Sequence, residues 1–385
     1  MGFNSNTFNS CQFKVTADDG SKISPEAIAE TLSLAAFRPI DETADERSVG
    51  WVNIFDPSLT KFDTSGTLFI GGHAAFSLRL DQRKVPAAVL RERVKLAEEL
   101  FLQENPGFTK VPKHKREEIK EAQRAALLAK LIPVPTIYDV VWNLETNVIT
   151  FCNLSVRAMD LFHDMFKKSF PSHGLRFITP YDRAFAILGR GDMDGVYQQA
   201  LIAANKCSTN DTSVLGLLKE NEWIGSDFLL WLLWHEQDGG FGRPEMTAYI
   251  DQKLLLVGPS ESGVEKIVFT GGDQSRIKAV KMALTEGKQI TVARIFIEQE
   301  ENGWAFTLRG SNFEFAAYKC PAVRLEKGDT TDELMERQAV FLERIALVDK
   351  GRELFNDVFM TFLADRLSIE WAAKEADIDA WKRGE

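Results

Sequence analysis

The chain has 385 residues, 44% of them hydrophobic and 26% charged, with a formal net charge of −10 at pH 7. That length exceeds one small core and predicts two to three domains or subdomains. No run of about 18 apolar residues occurs, which excludes a transmembrane helix, and the first residues, MGFNSNTFNSCQFKV, lack a charged stretch followed by an apolar one, so the chain reads as cytosolic with no membrane partner.

In chain order, residues 13–16 read as a short strand. Ser24 and Pro25 open a helix, as N-cap and first-turn residue, with Ile28, Leu32 and Ala35 on one face. Residues 51–55, 67–71 and 77–80 read as strands. Pro86 begins a helix whose Leu90, Val94, Ala97 and Phe101 form an apolar stripe. Asn105-Pro106-Gly107 ends it, and Pro112 starts a second helix with Ile119, Ala122, Ala126 and Leu127 inward, terminated by Pro133 and Pro135. Strands at 137–142 and 148–153 surround a turn at 145–147. Ser155 caps a helix bearing Met159, Phe162, Phe166 and Phe170.

Residues 181–222 are punctuated by Gly and Asn and read as an insertion. The run SDFLLWLLWH at 226–235 predicts a helix buried nearly all round or at an interface. Strands are expected at 247–257, 264–270, 290–298, 304–309 and 313–318, with a helix at 274–286 closed by Gly287. Residues 331–382 read as two helices broken near 349–351, the second carrying Phe355, Phe359, Phe362 and Leu363. The pattern predicts an α+β fold: antiparallel sheets packed with helices, a projecting basic helical hairpin and a helical C-terminal tail. The expected divisions are a central α+β domain at 1–82 and 134–180, a hairpin arm at 83–133, an insertion and apolar helix at 181–245, a second α+β domain at 246–328 and a helical region at 329–385.

Charge is segregated. Residues 83–130 hold 12 Lys/Arg against 7 Glu, a net of +5, so the remainder carries −15. A local basic stripe sets where a polyanion docks even on an acidic protein. The simplest reading is a solvated hairpin; the functional one places Lys110, Lys113, Lys115, Arg116, Lys120 and Arg124 against phosphates. A second basic group comprises Arg276, Lys278, Lys281, Lys288 and Arg294, with Lys278 and Lys281 on one helix face. Neither group has interleaved aromatics or a base-reading helix, so DNA binding would be sequence-independent and favour duplex over single strand.

Enzyme motifs are mostly missing. Gly258 and Gly263 have the spacing of a phosphate loop, but Val264 and Glu265 stand where Lys and Ser/Thr are needed, so a turn between strands is the simple reading. His235-Glu236 lacks a second His at zinc-hydrolase spacing. His73, His114, His163, His173 and His235 share no ligand spacing, and Asp192 and Asp194 lack the further ligands a hard cation needs. Trp231 and Trp234 could stack bases, although their aliphatic setting favours core packing. Cys11, Cys152, Cys207 and Cys320 are scattered and read as reduced, buried thiols. No cofactor, metal site or catalytic residue is expected.

Together these features resemble the recombination-associated RdgC family. The similarity rests on Ala35-Ala36-Phe37-Arg38-Pro39, Gly50-Trp51-Val52, Lys84-Val85-Pro86, residues 115–133, the Trp142 strand with 148–151, the helix 155–170, and 286–291 followed by alternating strands to Tyr318. It covers about two thirds of the chain in the same order. The resemblance implies a ring-shaped homodimer that encircles duplex DNA through a basic hole and restrains the RecA recombinase by occupying DNA. It implies a nucleoid-associated location, and it carries DNA contact onto Lys113, Lys115, Arg116, Lys120, Arg124 and Lys288. The family's loop before the 274–286 helix is Lys-rich and helps close the ring; here it is Gly271-Gly272-Asp273, an altered candidate interface. The 183–222 insertion and the tail after 330 look like additions.

Two rival readings stand beside this one. A protein-docking scaffold would expose Phe355, Phe359 and Phe362 on the tail as its interface. A nuclease would use scattered carboxylates such as Asp192 and Asp194.

Overall fold

The computed structural model describes residues 2–17, 20, 22–43, 45–63, 67–189, 195–204, 222–235, 241, 243–260, 263–271, 274–323 and 333–385. Its strands are β1 (Thr7–Ala17), β2 (Arg47–Asn53), β3 (Phe69–Ile70), β4 (His73–Gln82), β5 (Val134–Asn143), β6 (Val148–Phe151), β7 (His173–Phe177), β8 (Met246–Ser260), β9 (Gly263–Thr270), β10 (Gln289–Gln299), β11 (Asn302–Arg309) and β12 (Glu314–Lys319). They join in one sheet, in the order β2-β4-β5-β6-β1-β12-β11-β10-β8-β9, with β3 beside β4 and β7 beside β1. Every strand pairing is antiparallel. The expected α+β class with antiparallel sheet is what forms.

Two hydrophobic cores flank this sheet, and β1 serves both. Phe8 enters one core, while Cys11, Phe13 and Val15 enter the other. Ser10 and Cys11 are both buried, so the alternation of the strand changes phase there, next to a register shift between Phe8 and Ser10.

The first core is built by β1, β2, β4, β5 and β6 against α1 (Pro25–Leu34) and α4 (Val156–Ser169). Ser24 caps α1, its Oγ accepting from the amide of Ala27 at 3.2 Å, and Pro25 occupies the first turn. Trp51, Phe76, Trp142, Phe151 and Phe162 are fully buried; Phe151 and Phe162 stack with centroids 4.6 Å apart. Trp51 keeps its indole N–H satisfied by donating to Ser169 Oγ at 2.9 Å.

The second core takes in α7 (Glu222–His235), β8, β10, β11, β12 and α9 (Glu333–Arg366), with α10 (Trp371–Arg383) and α8 (Gln274–Thr285) beside them. Residues from 181–245, 246–328 and 329–385 thus share a single core.

Several expectations are corrected. Phe355, Phe359 and Phe362 are buried, at 1%, 0% and 0% exposure, against Phe228, Phe313 and Phe315, so they are core residues and not an exposed docking face. Each contributes about 1.5–3 kcal/mol by burial, which is why a helix with this spacing turns inward. No break occurs near 349–351: α9 runs through Gly351, and the chain turns only after Arg366. Instead of ending the helix, Gly351 lets it approach the sheet.

Where it is described, the segment 181–222, expected as an insertion, carries regular structure. It includes α5 (Pro180–Leu188) and α6 (Val196–Ala204), and Thr179 and Asp182 form a reciprocal capping box at the start of α5. β7 was not expected; its five residues offer only Leu175 and Phe177 as large apolar side chains. The second arm helix stops at Leu128, upstream of Pro133, and Pro135 lies inside β5 opposite Asp81. A residue preceding proline is driven to extended backbone, so the helix ends before the prolines are reached. Gly258 and Gly263 lie in the β8–β9 hairpin, the simple reading of that motif; residues 261–262 are outside the described ones. Cys11, Cys152 and Cys320 are buried and free, as expected, while Cys207 lies outside the described residues.

Candidate nucleic-acid interface

Two helices, α2 (Ala87–Glu104) and α3 (Lys113–Leu128), pack on each other and bury none of their residues. Leu90, Val94, Phe101, Ile119 and Leu127 are half-buried between them, whereas Ala122 and Ala126 face solvent. An 18-residue helix is about 27 Å long, so this hairpin is an arm held clear of both cores.

Its root is fixed by polar contacts. Arg83 is 3% exposed and donates to four carbonyls: Thr43 at 2.7 Å, Ile40 at 2.9 Å, Asp45 at 3.0 Å and Asp41 at 3.1 Å. A buried guanidinium needs acceptors, and both Nη groups find two each here, while Nε meets none among the described residues. From α3, Arg124 Nη2 reaches both carboxylate oxygens of Glu46, at 2.7 and 2.8 Å. Arg83 and Glu46 thus set where the arm leaves the body. Nothing local in the sequence marks Arg83, because its partners are backbone groups some forty residues upstream.

The six candidate arm cations fall into two sets. Arg116 pairs with Glu98 of α2 at 2.7 Å, Lys115 with Glu118 at 2.7 Å, and Arg124 with Glu46. Lys115 holds the Glu118 carboxyl below its ordinary range. Lys110, Lys113 and Lys120 are exposed and make no ion pair among the described residues. Surface pairs are worth little, about 0–1 kcal/mol, so even the paired cations remain displaceable by a phosphate. Lys113, Lys115 and Arg116 sit in the first turn of α3, where the helix dipole is already positive. Cations there oppose the helix unless an anion meets them, so the inter-helix end of the arm is suited to receive an anion.

Among the described side chains, the second basic group does not assemble as an exposed patch. Lys278 is exposed, but Lys281 lies with Nζ 4.3 Å from the Trp381 ring centroid. Arg294 donates to the carbonyl of Ala317 at 2.8 Å and lies 5.6 Å from the Phe296 ring; burial lowers its pKa. Lys288 is buried and paired with Glu286 at 2.6 Å and Glu265 at 3.1 Å, which together raise its pKa. Its expected role as a DNA contact is therefore corrected: the cation is already neutralised. The reason is Gly258, where a Cβ would stand 2.7 Å from Lys288 Cα, so the Lys288 backbone crosses that strand closely and its side chain is covered.

Gly271 is exposed with φ +91°, and its amide donates to Gln252 at 3.0 Å. Gly272 and Asp273 lie outside the described residues, as do the Arg276 side chain, Glu236, Asp192 and Asp194. Among the described residues, no three His, Cys, Asp or Glu side chains form a group that could hold a metal ion. Trp231 is fully buried in the second core, its indole donating to Asp365 at 3.0 Å.

A cation-rich, unburied helical arm on an antiparallel α+β body is a surface suited in charge to a polyanion. Residues 9–190, which contain the arm and the first core, match the family described as "Putative exonuclease, RdgC", and that match supports membership of the RdgC family. The same match supports a recombination-associated, DNA-binding role. No curated protein matches the chain significantly. Among the described residues, no helix is long and apolar enough to cross a membrane.

Proposed function

We propose that the protein binds double-stranded DNA without sequence preference, as a homodimer whose ring encloses the duplex, and that it restrains RecA-type recombination by occupying DNA. The observation that carries this reading is the trio Lys110, Lys113 and Lys120, exposed and outside any ion pair among the described residues, on an arm whose two helices bury none of their residues. Lysine and arginine displace condensed counterions from phosphates, and with roughly six contacts log K falls against log salt with a slope near −5. Recombination proteins enter as competitors for the same DNA, and the location that follows is the nucleoid. No cofactor takes part in this mechanism.

The test compares retention on relaxed circular duplex DNA with retention on the same DNA linearised, after a high-salt wash. Salt-resistant retention on circles alone supports an enclosing ring. Equal, salt-sensitive release from both reduces the reading to surface binding, and no binding to either removes it. The family description adds one readout to the same samples: shortening of the linear DNA in magnesium would establish exonuclease chemistry instead.

A further inference from the structure

A cavity of about 460 Å³ lies between the β1 and β6 strands on one side and α5 and α9 on the other. Its most constrained side chain is Arg352 of α9, which is 11% exposed. Nη1 of Arg352 donates to Thr150 Oγ1 at 2.8 Å and stands 3.6 Å from Asp349. Its Nε and Nη2 are buried and meet no acceptor among the described residues. Those two N–H groups form the parallel edge with which a guanidinium grips carboxylate or phosphate. Leaving them unmade is costly in a folded interior; both atoms are closed to solvent as the side chain stands, and a turn of the guanidinium toward the adjoining cavity would let an oxyanion there satisfy both.

The surroundings agree in sign. Lys14 and Arg183 line the same cavity, and Arg183 is held in place by donating to Asn356 at 2.9 Å and to Gln12. Each carboxylate that lines it already has a cationic partner: Asp182 pairs with Arg176 at 3.3 Å, Asp349 lies between His73 and Arg352, and Glu353 pairs with Arg243. We infer that this cavity binds a small oxyanion-bearing molecule, a phosphate monoester or a carboxylate, with Arg352 as its bidentate anchor. The volume admits a ligand up to nucleotide size and excludes a duplex. The site is separate from the arm. It joins residues within the family match to a helix beyond it, since Arg352 lies well past residue 190.

Calorimetric titration of the full chain tests this with adenosine monophosphate and citrate as probes and uncharged adenosine as control. One-to-one saturable binding of at least one anion is expected, with about a tenfold loss in Arg352→Lys, which keeps the charge but not the fork. A preference for the nucleotide or for citrate separates phosphate from carboxylate. The inference is overturned if neither anion saturates by about 10 mM, if adenosine matches the nucleotide, or if Lys113→Glu on the arm abolishes binding while Arg352→Lys retains it. Should Arg352→Lys not fold, hydrogen exchange of the unmodified chain decides: the saturating anion should protect residues 345–356. Protection confined to 110–124 would overturn the assignment.

Discussion

Gly351 lies in the interior of α9 directly against Tyr318 of the sheet: a Cβ at residue 351 would stand 2.3 Å from Tyr318 Oη and 2.4 Å from Trp304 Cδ1. Trp304 donates its indole N–H to the carbonyl of Leu347 at 2.8 Å and Tyr318 its hydroxyl to the carbonyl of Val348 at 3.4 Å, so both rings are tied to the helix they crowd. Replacing glycine by alanine in a helix normally gains about 1 kcal/mol. Here overpacking opposes that gain, and Gly351→Ala should be destabilising by about 1–3 kcal/mol. Chemical denaturation measures the difference, and a variant more stable than the parent would show that the contact yields.

The arm predicts an additive electrostatic effect. Lys110→Glu, Lys113→Glu and Lys120→Glu combined should weaken duplex binding to the same extent on unrelated sequences and flatten the salt slope by about 3. The cations belong to exposed helix and loop positions, so thermal stability should hardly change. Weakening on one sequence and not another would mean base reading, which these side chains do not offer.

Lys288 should behave in the opposite way. It is buried between Glu265 and Glu286, so Lys288→Ala leaves two carboxylates facing each other and removes packed methylenes. The expected result is a lower melting temperature with an unchanged salt slope for DNA. A flattened slope at full stability would return Lys288 to the DNA contacts.

His73 links stability to pH. Burial pulls its imidazole down, but the Asp349 carboxylate at 3.5 Å and the Gly71 carbonyl at 2.9 Å outweigh this and hold its pKa above the ordinary value. A group whose pKa is raised on folding contributes stability that is fully present below its unfolded value, about 6.5, and is lost as pH rises through the folded one. The stability difference between the parent and Asp349→Asn should therefore be larger near pH 5.5 than near pH 8.5, roughly one unit below and two above the unfolded value. An equal difference at both would show that the pair contributes nothing through protonation.

The buried phenylalanines give a plain stability test. Phe359→Ala removes a ring packed against Phe228, Phe313 and Phe362 and should cost about 3–5 kcal/mol. If the variant keeps its stability but loses a protein partner, the docking reading of this helix revives.

The parts legible in the sequence are those with local causes. Ser24 with Pro25, the stripe Leu90, Val94 and Phe101, and the Phe162–Phe166–Phe170 run each carry their own period or cap, and α1, α2 and α4 form where those signals fall. The parts misread depend on distant partners. Gly351 looks like a helix breaker until Trp304 and Tyr318 are placed beside it. Lys288 looks like an open cation until Glu265 arrives from the neighbouring hairpin. The Thr179–Asp182 capping box was a local signal that could have located α5, but it lay just before a weakly patterned stretch. For the candidate site, residue type revealed where positive charge is concentrated; which of those charges are already neutralised depends on Glu98 and Glu46, which only folding brings close.

The shared strand β1 has a consequence for how the chain is made. Residues 11–17 can pair with β6 and β7 once the ribosome has passed residue 177. Thr7, Phe8 and Ser10 must wait for β12, at residues 314–319. Throughout the synthesis of the intervening segment, the beginning of β1 is an unpaired edge, the kind of template on which nascent chains associate wrongly. Truncated products that stop before residue 314 keep that edge for good, so premature termination should yield aggregating fragments even when the first core is already complete.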